Sequence, residues 1–311
     1  MHACAHTTQA RHGICKTLAS ELLGSNHDAI GMKRRDFLRA LSAVIIGGGW
    51  TSQVLAEMVT PCMPEEYSPG IQDYLDKMRH FNEPHPGDVF IESDKRHLLE
   101  VIVRRMRRVE RVGGYGFFNL LSLDEARVIA RDNPQVGDFT QPELDYLERL
   151  FYQDAKRYGF FGERSLQKIT DRIPSNDVVK VPGSGHYLYK GAPLATYTKL
   201  QHDVGAHAIL TSGVRGVMKQ FLLFLERAYE NKGNLSLASR SLAPPGYSFH
   251  GISDFDVGQI GYGKGNFTER FVTTEVCQRL TQLQYIDLRY PRDNLLGVRY
   301  EPWHIKVNAK A

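Results

Sequence analysis

With 311 residues and 42% apolar content, the chain can bury one large core or two small ones. Its formal net charge is only +4, from 39 Lys and Arg against 35 Asp and Glu, which excludes the strongly basic face of a dedicated nucleic-acid binder. The apolar stretch near the start, Ala40 to Trp50, falls short of the roughly 20 residues that span a bilayer, so no stable membrane span is expected.

The first segment with a readable purpose is an address. Lys33-Arg34-Arg35-Asp36-Phe37-Leu38 precedes the apolar stretch, and Val54-Leu55-Ala56 offers a small residue at a cleavage point. Paired arginines, then Phe-Leu, then a modest apolar region make residues 32–56 resemble a twin-arginine export signal. A periplasmic or otherwise exported location follows as the expectation. Met32 stands directly before the signal, so residues 1–31 read as an upstream extension. His2, Cys4, His6, His12 and Cys15 are discounted as a metal cluster on that ground. Cleavage after Ala56 leaves Cys62 and Cys277, which in an oxidising compartment either pair or stay as two thiols. Neither has the Cys-x-x-Cys spacing of a zinc site.

Residues 57–171 read as a helical N-terminal region. A first helix closes between Leu75 and His80. A second runs from Asp94 to Val112, with Leu98, Leu99, Ile102, Met106 and Val109 at helical spacing. The run Arg104-Arg105-Met106-Arg107-Arg108 reads as its solvated face; contact with an anionic polymer such as the cell wall is the alternative. Ser122-Leu-Asp-Glu125 and Thr140-Gln-Pro-Glu143 fit the capping box, in which hydroxyl and carboxylate satisfy each other's free N–H groups. Pro142 suits a first turn, and the helix it opens is expected to reach Tyr158 and stop at Gly159 and Gly162.

From residue 172 the texture changes. Pro174, Pro182, Gly183, Gly185 and Gly191 punctuate short segments. Ala208 to Thr211 reads as a strand, Val217 to Tyr229 as an apolar helix, 232–247 as loop, and Phe255 to Val257 and Trp303 to Val307 as strands. The expected class is α+β, with helices first and a mixed half, residues 172–311, after them. Gly261-Tyr-Gly-Lys-Gly265 reads as a hairpin loop, and His202-Asp203 with His207 as a weak second metal set, because Gly205 interrupts the helix that would align them.

Two segments carry candidate chemistry: Ser248-Phe-His250-Gly-Ile-Ser-Asp254-Phe-Asp256 and Glu301-Pro-Trp-His304. A catalytic zinc site takes three protein ligands and leaves one position open. On an extended chain His250, Asp254 and Asp256 share parity, so a histidine and a carboxylate can surround one ion. Glu301 lies three residues before His304, near a ligand without being forced to become one, and can move a proton. Each pattern alone is weak. A third segment, Thr211-Ser-Gly-Val-Arg215-Gly-Val-Met-Lys-Gln220, adds weight.

The three segments in this order resemble the VanY-type D-alanyl-D-alanine carboxypeptidases of the LAS zinc peptidase superfamily, over roughly residues 200 to 307. The resemblance implies a small domain with an antiparallel sheet and one zinc ion. It implies His250, Asp256 and His304 as ligands, with Asp254 as the alternative to Asp256, and Glu301 as the general base. It implies Arg215 as the cation that stabilises the tetrahedral intermediate, and Ser248, Gln220 and Trp303 near the substrate. The family has six residues between the His and the Asp; Asp256 here follows after five. Phe255-Asp256-Val257 keeps the family's apolar-Asp-apolar strand and favours Asp256. The family's Tyr before the Arg is Val214 here, and its Gly-x-Ala is not reproduced. The implied activity is removal of the terminal D-alanine from peptidoglycan stem peptides. An endopeptidase on the same scaffold and a non-catalytic wall-binding protein are the alternatives; oligomeric state is left open.

Overall fold

The computed structural model describes residues 69–307; the segments expected to be an upstream extension and an export signal, and Cys62, lie outside that range. Helix α1, Pro69–Arg79, is followed by a 3₁₀ turn, Ser93–Lys95, that feeds α2, Arg96–Gly113. Then come α3, Leu123–Asp132, and α4, Gln141–Tyr152. Both capping boxes form: Ser122 with Glu125 and Thr140 with Glu143. Helix α4 stops short of the expected Tyr158. Gln153 turns extended, and the Asp154 carboxylate accepts from Lys156 N, which starts a separate 3₁₀ turn, Ala155–Tyr158, closed by left-handed Gly159.

The second half opens with a hairpin of β1, Val178–Lys180, and β2, Tyr187–Tyr189. It continues through α5, Ala192–Val204; β3, Ala208–Ser212; α6, Val217–Glu230; α7, Leu235–Ser239; β4, Phe255–Gln259; α8, Glu275–Leu280; β5, Asp287–Leu288; and β6, His304–Lys306. The main sheet is antiparallel with order β3-β4-β6-β5. The fold is therefore α+β. Helix α7 falls where loop was expected, because the Asn234 side chain caps it by accepting from Leu237 N at 2.8 Å. The glycine-rich stretch after β4 is no hairpin. The Asn266 amide folds back on Gln259 N and O at 2.8 and 3.1 Å and closes the strand end, so the chain leaves the sheet through 3₁₀ turns.

Among the described residues, two large apolar clusters carry most of the core, with two smaller ones beside them. The first joins α2, α3, α4 and α6, with Ile102, Met106, Leu147, Phe151, Phe221 and Phe224 fully or nearly fully buried. The second lies under the sheet, around Leu200, Phe255, Val257 and Ile305. Helix α6 belongs to the first cluster, so residues on both sides of position 171 share one core. Among the described residues no helix is long and apolar enough to cross a membrane.

The arginine run on α2 is a solvated face only in part: Arg104 is exposed and pairs with Glu100 of its own helix at 2.6 Å. Arg105 is buried; its Nε donates to Glu143 Oε1 at 2.8 Å and its Nη1 to the carbonyls of Val136 and Gly137. The other Glu143 oxygen accepts from Thr140 N and Oγ1, so one carboxylate caps α4 and ties it to α2. Arg107 pairs with Glu110 and Glu226, and Lys219 with Glu110 at 2.9 Å. Helix α2 is packed on more than one side, so Arg105 meets an acid of α4 and Arg107 an acid of α6, while Arg104 stays at the solvated face.

Candidate metal centre

The sheet brings the candidate residues together by register. Asp256 of β4 pairs directly with His304 of β6, and Ser212 at the end of β3 pairs with Asp256 from the other side. His250 sits on a 3₁₀ turn, Phe249–Gly251, just before β4. One ligand atom from each of His250, Asp256 and His304 lies within 4.8 Å of the others, and all three residues are buried.

Their protonation can be reasoned from their partners. His250 Nδ1 lies 2.7 Å from the Gly213 carbonyl, which can only accept, so Nδ1 carries the proton and Nε2 presents a lone pair. That lone pair faces Asp256 Oδ1 at 3.2 Å. Both atoms are sealed from water and have no hydrogen-bond partner. Two buried acceptors facing each other are unfavourable unless a cation or proton sits between them. Imidazole nitrogen and carboxylate oxygen are donors of the kind that zinc takes, so the residues present fit a metal ion. Burial, then the Arg215 charge, lowers the His250 pKa to about 4 and keeps the ring neutral, as a ligand must be. Burial opposes ionisation of Asp256, but neighbouring His250 and the Arg215 guanidinium outweigh it and hold the carboxyl below the usual range. Burial also opposes charge on His304, yet Asp254 and Glu301 raise its pKa to about 9.

Asp254 stands apart from this trio. Its Oδ2 lies 3.3 Å from His304 Nε2, on the far side of the ring from the Nδ1 that is 3.5 Å from Asp256 Oδ1. Arg289 grips Asp254 with Nε at 2.6 Å and Nη2 at 3.1 Å, and Val307 N donates to Oδ1 at 3.0 Å. Its carboxylate is thus committed to holding His304. Glu301 places Oε2 3.1 Å from His304 Nδ1.

Arg215 donates through Nη2 to Asp256 Oδ2 at 2.5 Å and through Nε to Ser212 Oγ at 2.9 Å. It therefore braces the carboxylate while lining a cavity of about 790 Å³ together with Ser248, Glu301, Trp303 and His304. Gln220 does not reach that cavity. Its amide spans two backbone groups, donating to Arg215 O at 2.8 Å and accepting from Gly246 N at 2.8 Å, so it ties two loops instead of touching a substrate. His202 is exposed and pairs with its neighbour Asp203 at 2.9 Å; it is not joined to His207 in a metal set. Cys277 is buried, and its possible partner Cys62 lies outside the described residues.

Two contributors had no local signal. Arg289 becomes relevant only because β5 lies beside β6, where its backbone N donates to His304 O. His186 enters the cavity from the β1–β2 hairpin, which is anchored by Val214 N on Tyr187 O at 2.8 Å; burial and then Arg215 lower its pKa to about 4.

A search of curated proteins gives no match. Among solved structures, the chain is similar to the one titled "Structure of the LdcB LD-carboxypeptidase reveals the molecular basis of peptidoglycan recognition", at 23% identity and a TM-score of 0.34, covering 43% of this chain and 68% of that one. Residues 192–309, the segment that carries His250, Asp256, Glu301 and His304, match the family model of VanY, described as D-alanyl-D-alanine carboxypeptidase.

Proposed function

We propose that the protein is an exported, zinc-dependent carboxypeptidase that removes the terminal D-alanine from peptidoglycan stem peptides. The observation that carries this reading is the facing pair of buried acceptors, His250 Nε2 and Asp256 Oδ1, beside His304 and Glu301 at one cavity. His250, Asp256 and His304 would hold the ion. A zinc ion there supplies Lewis acidity toward water and the scissile carbonyl.

The chain's own residues divide the remaining work. Glu301 accepts a proton from the attacking water and returns it to the leaving amine, a role typically contributing about 10²–10⁴-fold. Asp254 fixes the orientation of the His304 ring, and Arg289 fixes Asp254. Arg215 steadies Asp256 and puts positive charge at the cavity wall, where negative charge develops on the carbonyl oxygen. Ser248 and Trp303 line the same cavity, where the peptide would lie.

The test couples metal analysis of the purified protein to D-alanine release from a pentapeptide ending in D-Ala-D-Ala. About one zinc per chain and release of free D-alanine are expected. Cleavage only inside cross-linked peptides would replace the reading with an endopeptidase. Export is tested by changing Arg34 and Arg35 to Lys, which should hold the precursor in the cytoplasm; unchanged export would remove the twin-arginine assignment.

A further inference from the structure

Beyond the metal constellation, the cavity is lined by three arginines that have no ion pair among the described residues: Arg227, Arg299 and the exposed Arg270 at its rim. Four further charged groups of the lining are engaged. Arg215 is on Asp256, Lys219 on Glu110, Glu269 on Arg292, and Glu301 on His304.

Arg299 is half-buried and held flat. Its guanidinium lies over the Phe81 ring at 4.4 Å and the Trp303 ring at 4.8 Å. Nη2 donates to the Phe267 carbonyl at 2.9 Å, while Nε is sealed from water with no partner. Arg227 reaches Ser241 Oγ through Nε at 3.3 Å and Asn82 through Nη2. Guanidinium groups stay charged at any working pH. Two of them facing one water-filled space repel each other and attract an anion. A planar fork already clamped between two rings loses little freedom on binding a carboxylate edge-on. Trp303 adjoins His304 in sequence, so the clamp borders the metal constellation.

We propose that Arg299 and Arg227, with Asn82, form a carboxylate-binding subsite of this cavity, which anchors an anionic group of the peptide substrate. The inference rests on the carboxypeptidase reading for the identity of the ligand, since such an enzyme has to recognise a free peptide end. The carboxylate comes either from that end or from an acidic side chain further along the peptide.

Calorimetry on the full chain carrying Glu301→Gln, so that nothing is cut, separates the cases. Three acetylated peptides ending in D-Ala-D-Ala serve as probes: a free acid, its C-terminal amide, and an amide that carries a glutamate side chain. Either acidic probe should bind more tightly than the neutral amide, and the one that does identifies the source. Adding Arg299→Gln should weaken that probe about ten- to a hundredfold and leave the neutral amide unchanged, as expected for loss of a charged hydrogen bond. Arg227→Gln, which leaves the ring-clamped guanidinium in place, should give a smaller weakening of the same probe. Equal binding of all three probes before any arginine is changed would overturn the subsite. If the acidic preference exists and depends on Arg299 while the unsubstituted protein releases no D-alanine, the subsite stands and the carboxypeptidase reading falls.

Discussion

Asp254 and His304 are joined across the sheet: Asp254 Oδ2 lies 3.3 Å from His304 Nε2, and Arg289 and Val307 N hold the carboxylate in place. Asp256, two residues on, faces the other nitrogen of the same ring at 3.5 Å. One histidine thus separates two aspartates into different tasks. Asp256→Asn should abolish stoichiometric metal binding. Asp254→Asn should retain one ion with affinity reduced about 10–100-fold, the usual effect of losing an orienting partner. Metal titration followed by a chromophoric chelator reads both; the reverse order would make Asp254 the ligand.

Glu301→Gln should keep its metal and lose activity by about 10²–10⁴-fold. The side chain is nearly isosteric and cannot take a proton. Loss of the ion from this variant would show that Glu301 is a ligand instead of a base.

Gly213 is required by a close approach. A Cβ there would lie 2.0 Å from the Tyr187 carbonyl oxygen, which is backbone and has no room to yield. The Gly213 carbonyl also holds His250 Nδ1. Gly213→Ala should therefore push the β1–β2 hairpin away, misplace His250, and lower both thermal stability and metal content. Retention of full metal and an unchanged melting temperature would contradict the account.

Asp88 and Arg240 form a buried bidentate pair at 2.7 and 3.0 Å, and Arg240 also donates to the carbonyls of Phe81 and Glu83. Burial pushes the Asp88 carboxyl up, but Arg240, Asn234 and His85 N outweigh it and hold the pKa below the ordinary 3.8. The folded pKa lies below the unfolded one. The pair's contribution is therefore complete above the unfolded value and is lost as pH falls through the folded one. Asp88→Ala should cost about 3–5 kcal/mol at neutral pH by stranding Arg240. Denaturant unfolding should show the gap to the unsubstituted protein narrowing in acid; a gap independent of pH would rule out the electrostatic origin. Because Arg240 positions the segment that bears Phe81 and Asn82, the variant should also weaken substrate binding.

The residues that meet at the cavity were readable because each lies in a short segment of distinctive spacing. His250 and Asp256 enter on a 3₁₀ turn and the strand that follows it, and Glu301 and His304 on one turn and strand. The helix starts were equally legible, since a capping box is complete within four residues. What escaped depends on partners far along the chain. The separation of Asp254 from Asp256 is decided by Arg289, 35 residues after Asp254. The burial of Arg105 is decided by Glu143, 38 residues away. Gln220 was placed near the substrate by the family resemblance alone, whereas Gly246 and Arg215 claim both ends of its amide. Local spacing announces a donor atom but not what will already occupy it.

The direct pairing of Asp256 with His304 has a consequence for quality control. Side chains alternate faces along a strand, so a slip of β6 by one residue would set Trp303 or Ile305 opposite Asp256 and turn His304 to the other surface. No misaligned sheet could then gather the trio. Metal stoichiometry accordingly reports strand alignment as well as ligand identity. A preparation that takes up a full equivalent has its β4–β6 ladder in register, so a simple uptake assay can sort correctly threaded molecules from compact but misaligned ones before any substrate is added.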